Sequence, residues 1–315
     1  MEEKMQSWLS KEENLDHIRS IRDSFDKDTM GLYIFLGAGL SFGVDRGRAT
    51  FDWHGYDDKY RFPSWAQLMQ RMERTLLKNP VIEPHEQSLK EFFKAEGPLD
   101  CAQLFRNYMN GALYYKFLQD QFGSRLGDHD HLTQSHQALV RLPLKEVFTT
   151  NYDELIELTY QTKGMPVRVS ASGHEFLENS VAIGNHVVKL HGTIQHPESI
   201  VLTRSDYTKS RHDRAEMFGY LLNRFKLSSF VFVGFSLTDP NFNILYDEAR
   251  YIRRDQQPVS YVVQSRPDPI RDAYLQSMGI NNIVLNWWED LPEFLQLINP
   301  TINLNEYVEK HSEAT

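Results

Sequence analysis

Short apolar runs of strand length alternate along the chain with longer segments whose apolar residues recur every three or four positions. The first pattern predicts buried β-strands, and the second predicts amphipathic helices. The predicted strands cover residues 32–36, 145–149, 167–170, 185–190, 228–235, 260–263 and 282–285. Strands that alternate with helices predict an α/β protein with a doubly wound, mostly parallel, Rossmann-like sheet.

A segment without a strand pattern separates the first two predicted strands. Pro63, Ser64 and Trp65 begin a helix that continues to about Leu77, and helical spacing extends over residues 83–122. We therefore predict an all-helical insert at about residues 63–125 within a large domain of residues 1–300, followed by a C-terminal tail at residues 301–315. The preceding residues 42–62 are polar and aromatic, as is typical of a functional lid or a disordered loop.

The composition is that of an ordinary globular protein, with 41% apolar and 24% charged residues. A formal net charge of −9 argues against extensive non-specific binding to nucleic acid. No apolar run has the length needed to cross a membrane, and the acidic, amphipathic N-terminus is unlike a secretory signal. We expect a cytoplasmic protein that binds neither membranes nor nucleic acid directly.

The chain has a single cysteine, Cys101, which excludes an intrachain disulfide and a zinc site built from several thiolates. Leu99, Ala102 and Phe105 lie around it at helical spacing. We therefore expect Cys101 to be a buried small apolar side chain rather than a nucleophile.

The first predicted strand ends in Gly37, Ala38 and Gly39. Glycines at a strand end let the backbone approach a ligand closely, and a helix capped by Ser41 would direct free N–H groups at the same place. This pattern is typical of a phosphate site, although a Gly-rich strand end can also serve only to turn the chain tightly. The third glycine of the G-x-G-x-x-G fingerprint is missing, since Phe42 stands at its place.

Three further motifs, TTNYDELIE, KLHG and GFSLTDPN, also follow predicted strands. In a doubly wound sheet, ligands bind at the carboxyl ends of the strands, beside the point where the strand order reverses. We expect the four turns to share one crevice. Asp239 in the last motif is explained as the cap of a helix that begins at Pro240, with a ribose contact as the second reading.

The ordered set GAGLS, TTNYDELIE, KLHG and GFSLTDPN resembles the sirtuin-like superfamily, in particular its zinc-free bacterial branch in antiviral defence proteins. The resemblance implies that Gly37, Ala38, Gly39 and Ser41 bind the phosphates of NAD. It implies catalytic roles for Asn151 and His191. The remaining residues that it assigns to NAD binding are Thr150, Asp153, Gly234, Ser236, Asp239 and Gln264.

The chemistry of these residue types agrees with that resemblance. Cleavage of the nicotinamide–ribose bond forms an oxocarbenium-like centre, which needs the ribose and a nucleophilic water in one geometry. The amide of Asn151 can donate to one oxygen and accept from another, and His191 can take a proton near neutral pH. Taken alone, Asn151 would be a helix cap and His191 a structural histidine; the set of four turns favours catalysis for both.

The chain also departs from protein-deacylating sirtuins, which carry a four-cysteine zinc module. The resemblance implies a zinc-free NAD hydrolase that depletes NAD during infection, controlled by a partner protein, a nucleotide signal or self-assembly into a homo-oligomer. A non-catalytic NAD or ADP-ribose sensor is the first alternative. A lysine deacylase or ADP-ribosyltransferase is the second.

One acidic and histidine-rich cluster is a candidate metal site. It comprises Asp128, His129, Asp130, His131 and His136. The spacing does not match a repeated metal-site pattern, and polar residues before a helix are commonly solvated. We expect no metal there, and the sirtuin resemblance implies a structural role for His136.

Overall fold

The computed structural model describes residues 8–25, 31–42, 44, 62–123, 132–179, 184–254, 256 and 258–312. The strands within these ranges are β1 (Leu32–Leu36), β2 (Glu146–Thr149), β3 (Val167–Ser170), β4 (Asn185–Lys189), β5 (Ser229–Val233), β6 (Ser260–Gln264) and β7 (Ile280–Val284). They form one sheet in the order β3-β4-β2-β1-β5-β6-β7. The pairs β3–β4, β5–β6 and β6–β7 run parallel.

Helices precede, separate and follow these strands. Before β2 lie α1 (Glu12–Asp23), α2 (Trp65–Leu76), α3 (Glu86–Ala95), α4 (Pro98–Tyr108), α5 (Gly111–Phe122) and α6 (Gln134–Leu139). After β2 lie α7 (Leu155–Thr162), α8 (Gly173–Asn179), α9 (Arg204–Asp213), α10 (Ala215–Leu227), α11 (Pro240–Arg253), α12 (Pro269–Ser277), α13 (Leu291–Leu297) and α14 (Leu304–Ser312). No helix in the described ranges is long and apolar enough to span a membrane.

The strand order confirms the predicted doubly wound α/β fold. Strands β2, β4 and β3 lie in that spatial order on one side of β1. Strands β5, β6 and β7 lie on its other side, so the order reverses at β1. Ligands of such sheets bind at this reversal, outside the carboxyl ends of the strands. The glycine turn that follows β1 therefore occupies the position that the topology favours for a ligand.

The element boundaries match the predicted ones or differ from them by up to three residues. The strand predicted over residues 228–235 ends at Val233, because Gly234 adopts a φ of +64° and turns the chain. Helix α9 was not predicted, since only Tyr207 and Ser210 are buried along it and its sequence shows no apolar stripe. Helices α8, α10 and α14 were also missed, and α14 lies within the segment that we predicted as a tail.

The chain divides into two compact units, which are each made of several segments. The first unit comprises Met1–Phe35, Thr133–Val147 and Tyr220–Thr315. The second unit comprises Leu36–Leu132 and Phe148–Gly219, and it contains helices α2 to α5 between β1 and β2, where we predicted the helical insert. The domain boundaries themselves stay a prediction.

The helices of the second unit share one apolar core with the turns that follow β2 and β4. Phe105, Phe117 and Leu118 from α4 and α5 belong to the same cluster as Tyr152 and Ile194. Gln119 Nε2 donates to the Ile194 carbonyl over 2.8 Å. Consequently, the insert supports the turns in which the predicted catalytic residues lie.

In the first unit, helix α1 is tied to the residues that precede it and to β7. Asn14 Nδ2 donates to the carbonyls of Trp8 and Val284, and the Asn14 side-chain oxygen accepts from the Val284 N–H. An aromatic cluster fills the core, with Phe232 and Phe242 ring centroids 5.3 Å apart. Cys101, in α4 of the other unit, is buried as predicted, and burial raises the pKa of its thiol to about 11.

Candidate active site

Backbone hydrogen bonds hold three strand ends of the second unit side by side. The Leu36 carbonyl at the end of β1 accepts from the Thr149 hydroxyl and from the Thr150 N–H, each over 3.2 Å. The Thr149 carbonyl in turn accepts from the Leu190 N–H over 2.9 Å. The turns that follow β1, β2 and β4 therefore begin from neighbouring points, as expected for strands of one parallel sheet.

The glycine turn after β1 is a series of tight backbone turns. The Leu40 N–H bonds to the Gly37 carbonyl over 3.0 Å, and the Ala38 carbonyl accepts from Ser41 and Phe42. Gly37 and Ser41 are buried, whereas Ala38 is exposed. The helix expected after Ser41 cannot be followed, because residues 43 and 45–61, including most of the predicted loop, lie outside the described residues.

Asn151 is held inside the turn after β2, and its side chain is 5% exposed. Its backbone N–H donates to the Thr149 hydroxyl over 3.0 Å, and its side-chain Nδ2 donates to the Ser41 hydroxyl over 3.1 Å. Its Oδ1 is buried and has no hydrogen-bond partner within the part of the chain that the structure describes. A buried acceptor without a partner is costly, so Oδ1 is available for a hydroxyl or water of a ligand.

The helix-capping reading of Asn151 is wrong. Glu154 occupies the N-cap position of α7, and Asp153 Oδ1 accepts from the Leu155 N–H over 3.1 Å. Asp153 is therefore engaged in shaping the start of the helix, while the amide of Asn151 contacts the glycine turn instead. The NAD contacts of Thr150 and Asp153 stay predictions.

His191 lies in the turn after β4 and is 3% exposed. Its ring packs edge-on against Tyr207 of α9, with centroids 5.1 Å apart and planes at 70°. Its backbone carbonyl accepts from the Val201 N–H over 2.9 Å. Tyr207 was not singled out in the sequence, because nothing local links α9 to this turn.

Gly192 is required where it stands. Its φ is +87°, and a β-carbon there would clash with the backbone carbonyl of Ser199. The guanidinium of Arg214 donates to the carbonyls of Leu190 and Ser199 over 2.6 and 2.5 Å, so it ties both sides of the turn together. Arg214 is buried, and desolvation lowers its pKa. No sequence signal had pointed to Arg214.

Lys189 is a further residue that sequence reasoning missed. It is fully buried at the end of β4 and bonds to the backbone of the Asn151 turn and to Glu157. The available signal was its place in the otherwise apolar run VVKL, since a lysine is seldom buried without a partner.

The remaining predicted NAD-binding residues lie in the first compact unit. Gly234 and Leu237 have φ values of +64° and +58°. In the same turn, the Ser236 and Thr238 hydroxyls are hydrogen-bonded over 2.6 Å. Asp239 Oδ1 accepts from the Phe242 N–H over 2.9 Å, which confirms that it caps α11 ahead of Pro240.

Gln264 ends β6, and its Nε2 donates to Asp272 Oδ1 over 2.8 Å. The carbonyl of Ser236 accepts from the guanidinium of Arg271, which belongs to the same helix as Asp272. The NAD contacts of Gly234, Ser236, Asp239 and Gln264 stay predictions, and so does the single crevice shared by all four turns.

The histidine-rich cluster is described only at His136. Its ring Nδ1 bonds to the Thr133 hydroxyl over 2.8 Å, and complete burial lowers its pKa to about 4. Asp128, His129, Asp130 and His131 lie outside the described residues. Among the side chains that can be placed, no group of three or more histidine, cysteine or carboxylate residues could hold a metal ion.

The sequence profile described as SIR2-like domain matches residues 145–283 of this chain. That range begins just before β2 and includes Asn151, His191 and the turn at Gly234. The glycine turn after β1 lies outside it. The sirtuin resemblance read from the four motifs is therefore confirmed, with the profile covering three of the four.

Curated proteins with similar sequences carry related names. The NAD(+) hydrolase ThsA of Bacillus cereus (strain MSX-D12) is 27% identical over 297 residues, which cover 88% of this chain and 56% of that protein. The NAD(+) hydrolase ThsA of Enterococcus faecium is 29% identical over 231 residues, covering 72% and 45%.

A third relative, the Defense-associated sirtuin 2 of Bacillus subtilis, is 23% identical over 259 residues, covering 80% of this chain and 23% of that protein. The chain thus spans about half the length of the Bacillus cereus and Enterococcus faecium hydrolases.

Proposed function

We propose that this chain, in which residues 145–283 match the SIR2-like domain, hydrolyses NAD to nicotinamide and ADP-ribose. The observation that carries the proposal is the arrangement of Asn151. Its Nδ2 is bonded to Ser41 of the glycine turn, and its buried Oδ1 lacks a partner among the described residues. The names of the two ThsA relatives support the same substrate and reaction.

In the proposed reaction, the bond between ribose C1′ and the nicotinamide nitrogen breaks, and nicotinamide leaves with the electron pair. Water then adds to the oxocarbenium-like carbon and loses a proton. Asn151 Oδ1 accepts a hydrogen bond from a ribose hydroxyl or from this water, which fixes its direction of attack. The hydrogen bond that Asn151 Nδ2 donates to the Ser41 hydroxyl keeps the amide from rotating.

His191 takes the proton that the water releases. Imidazole is suited to this step because its ordinary pKa lies near neutral pH. Gly192, the Val201 N–H and the edge-on ring of Tyr207 hold the histidine turn in one conformation. Such rigidity supports a base that must meet the water at a fixed distance.

We further propose that the chain acts as an NAD-depleting effector of antiviral defence in the bacterial cytoplasm. The name of the Bacillus subtilis relative supports the defence role. Unrestrained NAD hydrolysis would harm the cell that makes the enzyme, so we propose control by a partner protein, a nucleotide signal or assembly into a homo-oligomer.

The test is to incubate the purified protein with NAD and to follow free nicotinamide and ADP-ribose by chromatography. NAD is also measured in cells that express the wild-type chain. We expect Asn151→Ala and His191→Ala to reduce nicotinamide release by about a hundredfold or more. His174→Ala is the matched control, because His174 is an exposed histidine at some distance along the chain and should leave the rate unchanged.

Each other result would point to a different function. Nicotinamide release that persists in both Asn151→Ala and His191→Ala would refute the assigned residues. NAD that binds in calorimetry without being consumed, in the tube and in cells, would favour a sensor. Nicotinamide release that requires an acylated peptide, or that labels a protein with ADP-ribose, would favour a deacylase or a transferase.

A further inference from the structure

The side chain of Lys189 is fully buried, although lysine is among the residues least often found in a protein interior. Its Nζ donates to the Asp153 carbonyl over 2.5 Å, to Glu157 Oε1 over 2.6 Å and, at 3.4 Å, to the Tyr152 carbonyl. An ammonium group has three donors, and these oxygens can use all of them.

The two backbone oxygens that Lys189 contacts belong to the turn that carries Asn151. Tyr152 and Asp153 directly follow Asn151 in the turn after β2, and Lys189 stands two residues before His191 at the end of β4. One ammonium group therefore joins the backbone that carries the proposed amide to the backbone that carries the proposed base. Both segments belong to the same compact unit.

Stability alone is a weak explanation for this ion pair. Burying two charges costs desolvation energy that their attraction often only balances, and a well-packed apolar pair can be as stable. Moreover, Glu157 Oε2 is buried without a hydrogen-bond partner in the described ranges, so the carboxylate is not fully satisfied. A costly group that contacts the Asn151 turn and extends from the strand that leads into the His191 turn is better explained by the geometry that it imposes.

We propose that Lys189 is a positioning residue, which holds the Asn151 turn at a fixed distance from His191. The inference rests on the proposed NAD hydrolysis. Misplacing a catalytic group by about 1 Å can cost about a hundredfold in rate, so loss of the ammonium contacts should lower kcat. The KM for NAD should change little, because Lys189 is buried and acts through the turn.

The experiment compares two full-length variants. Glu157→Gln removes the carboxylate but keeps the bonds from Lys189 to the two backbone carbonyls. The double variant Lys189→Met with Glu157→Gln removes those bonds and leaves no buried charge, whereas Glu157→Gln alone keeps a buried ammonium without its carboxylate and is expected to be the less stable of the two. The kcat and KM for NAD are measured at a temperature below the thermal unfolding midpoints of both variants. Hydrogen exchange is followed in the peptide that covers residues 150–155.

For the double variant relative to Glu157→Gln, we expect kcat to fall by about tenfold to a hundredfold with KM within about threefold. We also expect faster exchange at residues 150–155, with the β5 core remaining protected. A folded double variant whose kcat and exchange match those of Glu157→Gln would overturn the proposal. A raised KM with unchanged kcat would overturn it as well.

If the wild-type chain consumes no NAD either in the tube or in cells, the proposed function fails independently of Lys189. Hydrogen exchange then still tests the positioning role of Lys189. Unchanged exchange at residues 150–155 overturns the positioning role, and faster exchange there supports it.

Discussion

The side-chain amide nitrogen of Asn151 donates a hydrogen bond to the hydroxyl oxygen of Ser41 over 3.1 Å, and both side chains are buried. This bond joins the turn after β2 to the glycine turn after β1, 110 residues apart in the chain. It leaves Asn151 Oδ1 as the acceptor that a substrate can use. The proposed role of Asn151 therefore depends on a serine that belongs to a different strand end.

Ser41→Ala should weaken both stability and activity. The substitution leaves the Asn151 amide donor buried without its partner, which costs about 1–3 kcal/mol in the free energy of unfolding. Freed of that bond, the amide can rotate, and we expect nicotinamide release to fall by about tenfold. Urea unfolding and the NAD assay measure the two effects.

Ser24→Ala is the control for Ser41→Ala. Ser24 is also buried, and its hydroxyl donates to the Ser20 carbonyl within the same helical segment. Ser24→Ala changes the side-chain size by the same amount as Ser41→Ala. We expect it to leave the rate of nicotinamide release per folded molecule unchanged. Equal activity of Ser41→Ala and Ser24→Ala would contradict the role of the hydrogen bond to Asn151.

Gly192→Ala should disrupt the histidine turn far more than Gly164→Ala. Both glycines have positive φ values, +87° and +66°, so alanine is strained by about 1–2 kcal/mol at either position. At Gly164 the added β-carbon meets open space, whereas at Gly192 it meets the backbone of Ser199. We expect Gly192→Ala to lower the urea midpoint further and to abolish most nicotinamide release. Similar urea midpoints for the two variants would show that the turn relaxes without cost.

Acid should destabilise the protein through His136. Burial lowers the pKa of this histidine from 6.5 to about 4, so between these values the unfolded chain binds a proton that the folded chain does not. The unfolded state then holds more protons, and the free energy of unfolding falls as the pH drops through this window. The loss from this group approaches about 3 kcal/mol near pH 4.

The acid effect is tested by measuring urea unfolding from neutral pH to about pH 4. His136→Gln cannot titrate, and its stability should fall less steeply with acid than that of the wild type. His174→Gln alters an exposed histidine and should keep the wild-type slope. An identical pH slope in wild type and His136→Gln would refute the assignment.

Arg22 should contribute more to the stability of the protein than Arg19, the other arginine of α1. Its guanidinium donates to the carbonyls of Leu297, Asn299 and Ile302 over 2.7, 2.7 and 2.6 Å, where the end of α13 leaves carbonyls without helical partners. Arg22→Met should lower the free energy of unfolding by about 2–4 kcal/mol.

Arg19→Met is the control for Arg22→Met. Among the described residues, Arg19 forms only an exposed ion pair with Asp16, which contributes about 0–1 kcal/mol. Thermal unfolding of the two variants, read by circular dichroism, should separate them by several degrees. Equal melting temperatures would show that the C-terminal segment gains nothing from Arg22.

Local patterns in the sequence were sufficient for the strands and for the principal helices. β5 is an uninterrupted apolar run, and Asp239 with Pro240 is a cap signal that needs no distant partner. The same signals failed for α9, where Tyr207 is buried by contacts that come from elsewhere in the chain. Helix boundaries shifted for a similar reason, because capping and packing act together.

By itself, the sequence determined the doubly wound fold, the four turns and the sirtuin-like resemblance, because apolar periodicity and short motifs are local properties. Only the tertiary structure decided that Asn151 bonds to Ser41, that Arg214 spans the His191 turn and that Lys189 joins the two turns. Those contacts link residues tens of positions apart. No local pattern predicts which distant donor meets which carbonyl once the strands are aligned in the sheet.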